Sequence, residues 1–156
     1  MTPLPPESEI GRLPDVDVDA AVAEAVTNSL KPVALQMATR TQLMDLLDVP
    51  RGTIDRSAYA WSEMGLGLKT HLLAEDPARG VKKYLVWGKP GAATPRHDHL
   101  GDEVILVLEG RLKDDRASYG PGDICRSKAG DIHQEQVEGD VDCLCFVVYY
   151  GDWVPV

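Results

Sequence analysis

The stretch Gly91-Ala-Ala-Thr-Pro-Arg-His97-Asp-His99-Leu-Gly101-Asp-Glu103-Val-Ile-Leu-Val-Leu-Glu-Gly110 decides how this chain reads. On an extended strand, residues two apart point the same way. His97, His99 and Glu103 share parity, so a regular strand presents all three on one face. A bulge near Gly101 would change how Glu103 arrives without taking it out of reach. Gly130 and His133 follow downstream, and three of the four histidines of the chain fall in this constellation. Three imidazole nitrogens and one carboxylate oxygen suit zinc, iron, manganese, nickel or copper. An isolated His-x-His is weak evidence, since most lone histidines are structural or exposed. Four ligand positions at full spacing are much harder to obtain by accident.

Outward from this stretch, β-branched and aromatic residues are frequent and turn signals recur about every eight to twelve residues. Gly88-Lys-Pro-Gly91, Asp114-Asp115, Gly120-Pro-Gly122, Ala129-Gly130-Asp131 and Gly139-Asp140 mark turns. Strands are expected near 57–63, 66–73, 82–88, 103–113, 117–119, 123–127, 132–138 and 141–150. That rhythm belongs to an antiparallel barrel or sandwich, and no internal repeat suggests a second one. Val104-Ile105-Leu106-Val107-Leu108 is apolar on both strand faces, so the outer face should be covered, by the N-terminal segment or by a second subunit. Buried sheet packing within one subunit is the alternative; a homo-oligomer, most simply a dimer, is what the family resemblance given below implies.

Residues 1–17 contain Pro3, Pro5, Pro6 and Pro14 among acids and read as an extended arm. Ala20, Ala21, Val22, Ala25, Val26 and Leu30 suit a short amphipathic helix closed by Pro32. A second helix is expected from Thr39, with Gln42 at capping-box spacing and an apolar face of Leu43, Met44, Leu46 and Leu47. The expected organisation is therefore 1–50 as an arm with two short helices and 51–156 as the β domain.

The residues quoted so far resemble the two cupin motifs. The first block matches over its full length. The second, Gly122-Asp-Ile-Cys-Arg-Ser-Lys-Ala-Gly130-Asp-Ile-His133, departs at Lys128, where the family usually has Pro, and at Val137, where Asn is common. Neither departure touches a ligand position. Within cupins, His97-x-His99-x-Gly101-x-Glu103, the run Leu108-Glu-Gly-Arg-Leu-Lys-Asp-Asp115, and Asp142-Cys143-Leu144-Cys145 resemble the cupin domain of ChrR-type anti-sigma factors over about residues 59–150. The resemblance implies an all-β fold, a single jelly-roll-like antiparallel cupin barrel with a short N-terminal helical or extended extension. It implies one divalent metal ion per chain, held by His97, His99, Glu103 and His133, with zinc favoured and iron, manganese or nickel possible.

Composition narrows the function. A formal charge of −9 argues against nucleic acid as a partner, because phosphate binding needs a basic patch. No apolar run approaches the roughly 20 residues of a membrane span, and no signal peptide is evident, so the expectation is a cytoplasmic protein without a membrane partner. Three cysteines are too few and too odd for a disulfide framework. Cys143 and Cys145 alternate on one apolar strand face and are expected to be buried, unbridged thiols. A redox-sensing pair or a second metal site is the alternative.

Two function classes remain. One is a sensory or regulatory metal cupin, as the ChrR resemblance implies. ChrR-type proteins carry an N-terminal sigma-binding domain with its own His and Cys zinc ligands, whereas residues 1–50 here contain neither residue. Direct sigma-factor binding is doubtful on that ground. The other is a small metal-dependent dioxygenase of the diketone-cleaving kind, with open metal positions for substrate and oxygen. Small barrels leave a ligand-sized space at the mouth, expected here beside His133. His71 matches no ligand position. Glu135 shares the face of His133 and would orient a ligand or act as a base, or simply be solvated. Tyr149, Tyr150 and Trp153 are expected to pack the closing strand.

Overall fold

A computed structural model describes residues 52–156. The two N-terminal helices expected from the sequence lie outside these residues. The chain opens with a 3-10 turn at Arg56–Ala58, where the Asp55 carboxylate accepts from the Ser57 amide at 2.9 Å. That cap replaces the start of the strand expected over 57–63. Strands follow at β1 (Ser62–Gly65), β2 (Leu68–Asp76), β3 (Val81–Gly88), β4 (His97–His99), β5 (Glu103–Glu109) and β6 (Leu112–Lys113). Then come β7 (Ser118–Tyr119), β8 (Ile124–Ser127), β9 (Ile132–His133), β10 (Gln136–Val137), β11 (Cys143–Tyr150) and β12 (Trp153–Pro155).

All pairings between these strands are antiparallel. One six-stranded sheet runs β1-β2-β3-β11-β5-β8, and two three-stranded sheets run β10-β6-β7 and β12-β4-β9. This is the all-β, cupin-like architecture expected from the sequence.

The large sheet is apolar on both faces, as Val104 to Leu108 requires. Alternate residues of β5 and β11 enter different clusters. Val104, Leu106, Phe146 and Val148 join Val81 and Leu85 on one face, with Tyr59, Trp61 and Leu73 packed against them. Ile105, Val107, Cys143, Cys145 and Val147 join Leu68, Ala92, Leu112, Cys125 and Val137 on the other. Burying each such side chain contributes on the order of 1.5–3 kcal/mol, so this double-sided sheet is the main source of stability. Residues 1–50, one of the two covers expected for the outer face, lie outside the described residues. All three cysteines are buried and unbridged, with the Cys143 and Cys145 sulfurs 3.6 Å apart.

Two expected strands are broken, each for a local reason. The 103–113 strand divides at Gly110, which sits at φ +74° where a Cβ would lie 2.3 Å from the Asp142 carbonyl oxygen. The chain therefore leaves the large sheet as β5 and enters a small one as β6. The 132–138 strand divides into β9 and β10, which serve different small sheets. Neither β4 nor β12 is among the strands expected by range, and they pair with each other.

The break that matters most falls between His99 and Glu103. These residues do not share one regular strand: β4 belongs to a small sheet and β5 to the large one. Between them the Leu100 amide donates to the Asp152 carbonyl at 2.8 Å, and the Tyr150 amide donates to the Asp102 carbonyl at 2.8 Å. A Cβ on Gly101 would lie 1.3 Å from the Tyr150 carbonyl oxygen.

That contact yields a contrast. Gly101→Ala should cost on the order of 4 kcal/mol or more, because backbone must shift to admit the methyl group. Gly91→Ala should cost only about 1–2 kcal/mol, because Gly91 has φ +81° but no heavy atom stands within 4 Å of where its methyl group would sit. Denaturant titration of both variants checks the order, and equal losses would contradict it.

Candidate metal centre

Strand pairing brings the first two histidines to the third. In the β4–β9 pair His97 stands directly opposite His133, and His99 lies two residues along the same face of β4. The β4 backbone is tied to the turn before β9: the His99 amide donates to Asp131 at 3.0 Å and the Gly130 amide donates to His99 at 2.8 Å. Gly130 holds φ +88°, a value that favours glycine, so the second glycine-histidine motif has a geometric basis.

The three rings meet nearly edge to face, with centroids 4.7–5.0 Å apart. His97 Nε2 lies 3.1 Å from His99 Nε2, which lies 2.7 Å from His133 Nε2. The outward nitrogens are committed elsewhere. His97 Nδ1–H donates to the Pro95 carbonyl at 2.8 Å, and His133 Nδ1–H donates to Asp114 Oδ2 at 3.2 Å. With Nδ1 of His97 and His133 so engaged, Nε2 of each faces into the cluster, where His99 Nε2 also lies. A divalent ion placed there would meet three nitrogen donors. This donor set therefore fits a metal.

Two buried carboxylates flank the histidines. Glu135 Oε1 is 2.7 Å from His133 Nε2, and Oε2 is 3.8 Å from His97 Nε2. Glu135 is anchored by the Thr94 hydroxyl, which donates to Oε2 at 2.7 Å. Donor atoms of His97, His99, His133 and Glu135 all lie within 4.8 Å of one another. Glu103, arriving from the large sheet, places Oε2 3.7 Å from His99 Nε2. The donors that lie together are thus His97, His99, His133 and Glu135; of the four residues singled out in the sequence, Glu103 stands at the edge of this group, beside His99. His71 stands apart: its Nδ1–H donates to the Ala60 carbonyl at 2.9 Å and its ring packs on Tyr59 and Trp61.

Burial sets the protonation of this cluster. His99 is depressed to about 4 by burial first and by the neighbouring His133 and His97, so it is neutral near pH 7. Glu103 is pushed up to about 8, again by burial first and then by the charge of Glu135. For Glu135 burial works upward, but the hydrogen bond from His133 and its charge outweigh it and hold the carboxyl below its ordinary value. His133 moves the other way: burial would lower it, and the Glu135 and Asp114 carboxylates raise it.

The Asp114 support is the part that sequence reasoning missed. Asp114 lies in the turn after β6, with its side chain fully buried. Its Oδ1 accepts from the Arg116 and Ala117 amides at 2.8 and 2.9 Å. Its Oδ2 accepts from the Arg116 guanidinium, with Nη2 2.6 Å away, and from His133. Burial opposes ionisation, but these donors outweigh it and keep Asp114 far below the usual carboxylate range. Arg116 also donates to Ser127 Oγ at 3.0 Å, which braces the turn against β8. The Asp114-Asp115 pair announced a turn; nothing local announced that the turn reaches His133.

A cavity of about 660 Å³ adjoins the centre, with His97, Glu103 and Glu135 in its wall. His133, beside which a pocket was expected, faces the cluster and does not line it among the described residues. Tyr149 packs against the inner cluster, as expected, and also lines the cavity; Trp153 lines it as well, beyond the packing role expected for it. Tyr149 stacks on Tyr84 with centroids 5.5 Å apart, and the Trp153 ring lies 4.8 Å from His97. Tyr150 faces the outer cluster, as expected for a packing residue.

Comparison with known proteins gives a consistent picture. A family model described as the ChrR cupin-like domain matches residues 49–150. The anti-sigma-E factor ChrR of Cereibacter sphaeroides is 28% identical over 145 residues, covering 80% of this chain and 67% of the relative. Among solved structures, Rhodobacter sphaeroides SigE in complex with the anti-sigma ChrR matches with TM-score 0.58 and 22% identity, over 83% of this chain and 95% of that one. An acetylacetone dioxygenase from Acinetobacter johnsonii matches with TM-score 0.57 and 13% identity, over 69% of this chain and 77% of that one. At these identities the structural matches show a shared fold.

Two outcomes test the centre. Asp114→Asn keeps an oxygen for the turn but turns an amide N–H toward Arg116 and His133. Zinc affinity, read by chelator competition, should fall roughly 10–100-fold while unfolding stays cooperative; unchanged affinity would refute the support role. The second concerns Glu103 in chelator-treated protein. Its folded pKa of about 8 exceeds its ordinary 4.5, so the stability it contributes is whole below pH 4.5 and is lost as pH rises through about 8. Glu103→Gln should therefore flatten the decline in melting temperature across that window, and parallel profiles for variant and wild type would contradict it.

Proposed function

Starting from the fact that this chain belongs to the ChrR cupin-like domain family, we propose that it is a regulatory or sensory metal-binding cupin holding one divalent ion. The ligands are His97, His99, Glu103 and His133, with Glu135 alongside to take a further position or to receive a hydrogen bond from a bound molecule. One observation carries the reading: three buried imidazoles bring their Nε2 atoms within 2.7 to 3.1 Å of a neighbour in the cluster, beside the Glu135 carboxylate, with the Nδ1 atoms of His97 and His133 engaged outward. Zinc is the favoured ion, as the family resemblance implies; iron, manganese and nickel accept the same donors.

The ion would supply Lewis acidity at the end of the cavity. The chain supplies the rest. Pro95 and Asp114 fix the orientation of two histidines, Thr94 steadies Glu135, and apolar side chains form much of the cavity wall. As a regulator, the protein would convert a change at this centre into a change at its surface. The solved ChrR relative is described in complex with SigE. A sigma factor is nevertheless a weaker part of the proposal for this chain, because residues 1–50 contain no His or Cys for a second zinc site. A dimer is proposed from the cupin resemblance alone, because Val104, Leu106, Phe146 and Val148 on the outer face of the large sheet are already buried in the single chain. No described helix is long and apolar enough to cross a membrane.

The cavity favours one alternative. A chamber of this volume beside the centre suits a small metal-dependent dioxygenase, and the match to an acetylacetone dioxygenase agrees in fold. Oxygen uptake with a diketone panel after iron loading separates the two readings: turnover selects the enzyme and its absence selects the regulator.

For the ion itself, elemental analysis of protein purified without chelators should find about one divalent metal per chain, and the double variant His97→Ala/His133→Ala should lose it. Retention at wild-type stoichiometry would rule out this ligand set.

A further inference from the structure

The walls of the cavity carry a chemical message beyond the presence of an ion. Leu68, Val86, Ala92, Ile105, Leu112 and Val147 supply its apolar surface from both sides of the barrel. Its volume, about 660 Å³, lies within the range of small-molecule sites, roughly 300–1,000 Å³. Among the described residues that line it there is no lysine and no arginine, while Glu103, Glu135 and Asp152 are acidic. Lys82, the cation beside Asp152, is already paired with that carboxylate at 3.3 Å.

The entrance has the same character. Met64, Leu100 and Val154 line the cavity and yet are 37%, 59% and 40% exposed. Three large apolar side chains at one opening are a surface that an apolar molecule wets and a hydrated ion does not. Besides His97 and the two glutamates, the hydrogen-bonding side chains of the wall are Thr70, Tyr84, Thr94, Tyr149, Asp152 and Trp153, and the rest of the wall is apolar apart from the Cys145 thiol.

From this composition we infer that the chamber receives an uncharged, predominantly apolar small molecule whose single polar end faces His97 and the two glutamates. Organic anions are excluded. The Glu103 and Glu135 carboxyls in the wall weaken the pull that a divalent ion would exert on an anion. No guanidinium or ammonium in the described wall would pair with one, and the net charge of −9 repels anions at a distance. The inference deepens the metal-site proposal and rests on it only for what the polar end meets; the apolar walls stand without it.

A matched pair of probes tests the class: 2-octanone and octanoate, equal in carbon number and different in charge. Each is titrated by calorimetry into the zinc-loaded full chain, with zinc measured in the same samples. The expected result is saturable binding of 2-octanone at one per chain, with octanoate at least tenfold weaker. Val147→Phe should fill the chamber and weaken 2-octanone at least tenfold. Val86→Phe on the neighbouring strand serves if the first variant does not fold. Octanoate binding as tightly as the ketone, no ketone binding, or ketone binding unchanged in the folded filled variant would each overturn the inference. Samples that take up no zinc count against the metal reading alone, because the tenfold preference is then expected of the metal-free chain and is read there.

Discussion

Between β4 and β5 the backbone at Gly101 presses against the Tyr150 carbonyl, with hydrogen bonds at Leu100 and Asp102 on either side. No side chain fits in that contact. It locks the connection between β11 and β12 to the connection between β4 and β5, and so fixes a small sheet to the edge of the large one. The candidate metal centre depends on this join where Glu103 approaches it, because His97 and His99 come from one sheet and Glu103 from the other. A chain that passed from His99 to Glu103 as one extended strand would present the three ligands in a row. The crossing folds the row so that they face one another.

Placing three imidazoles and two carboxylates inside a barrel is costly, since buried charge loses its hydration. The structure meets that cost with hydrogen bonds from outside the cluster. Pro95, Thr94 and Asp114 each engage one member, and Arg116 in turn holds Asp114. The result is a cluster whose groups are pushed in opposite directions: Glu103 upward, His99 downward, Glu135 downward, His133 upward. Opposed shifts of this kind concentrate where a protein handles protons or ions. A largely apolar chamber lies beside the same cluster.

The fold and the ligand types were legible because both depend on local regularities. Turn residues at short intervals and apolar runs between them announced an antiparallel barrel, and the glycine and histidine spacings announced a cupin. Val104 to Leu108 announced a sheet buried on both faces, and its alternate residues do enter two separate clusters. The three cysteines were read as buried thiols from their apolar setting. Strand ends were less legible. Gly110 breaks a run that reads as continuous strand because the carbonyl of Asp142, distant in sequence, occupies the space a side chain would need.

What the sequence by itself determined was which donors exist and that His97, His99, Glu103 and His133 lie on barrel strands, because periodicity and glycine spacing are encoded residue by residue. Only the tertiary structure decided how those donors meet. The pairing of His97 with His133, the arrival of Glu135 at 2.7 Å from His133, and the turn that carries Asp114 behind the ring all depend on which strands become neighbours. The wall of the cavity was decided there as well. Tyr149 and Trp153 read as packing residues on their own strands, and they became lining because the curvature of the barrel turns those faces inward. Contacts between residues far apart in sequence follow from sheet order, and sheet order is a property of the whole chain.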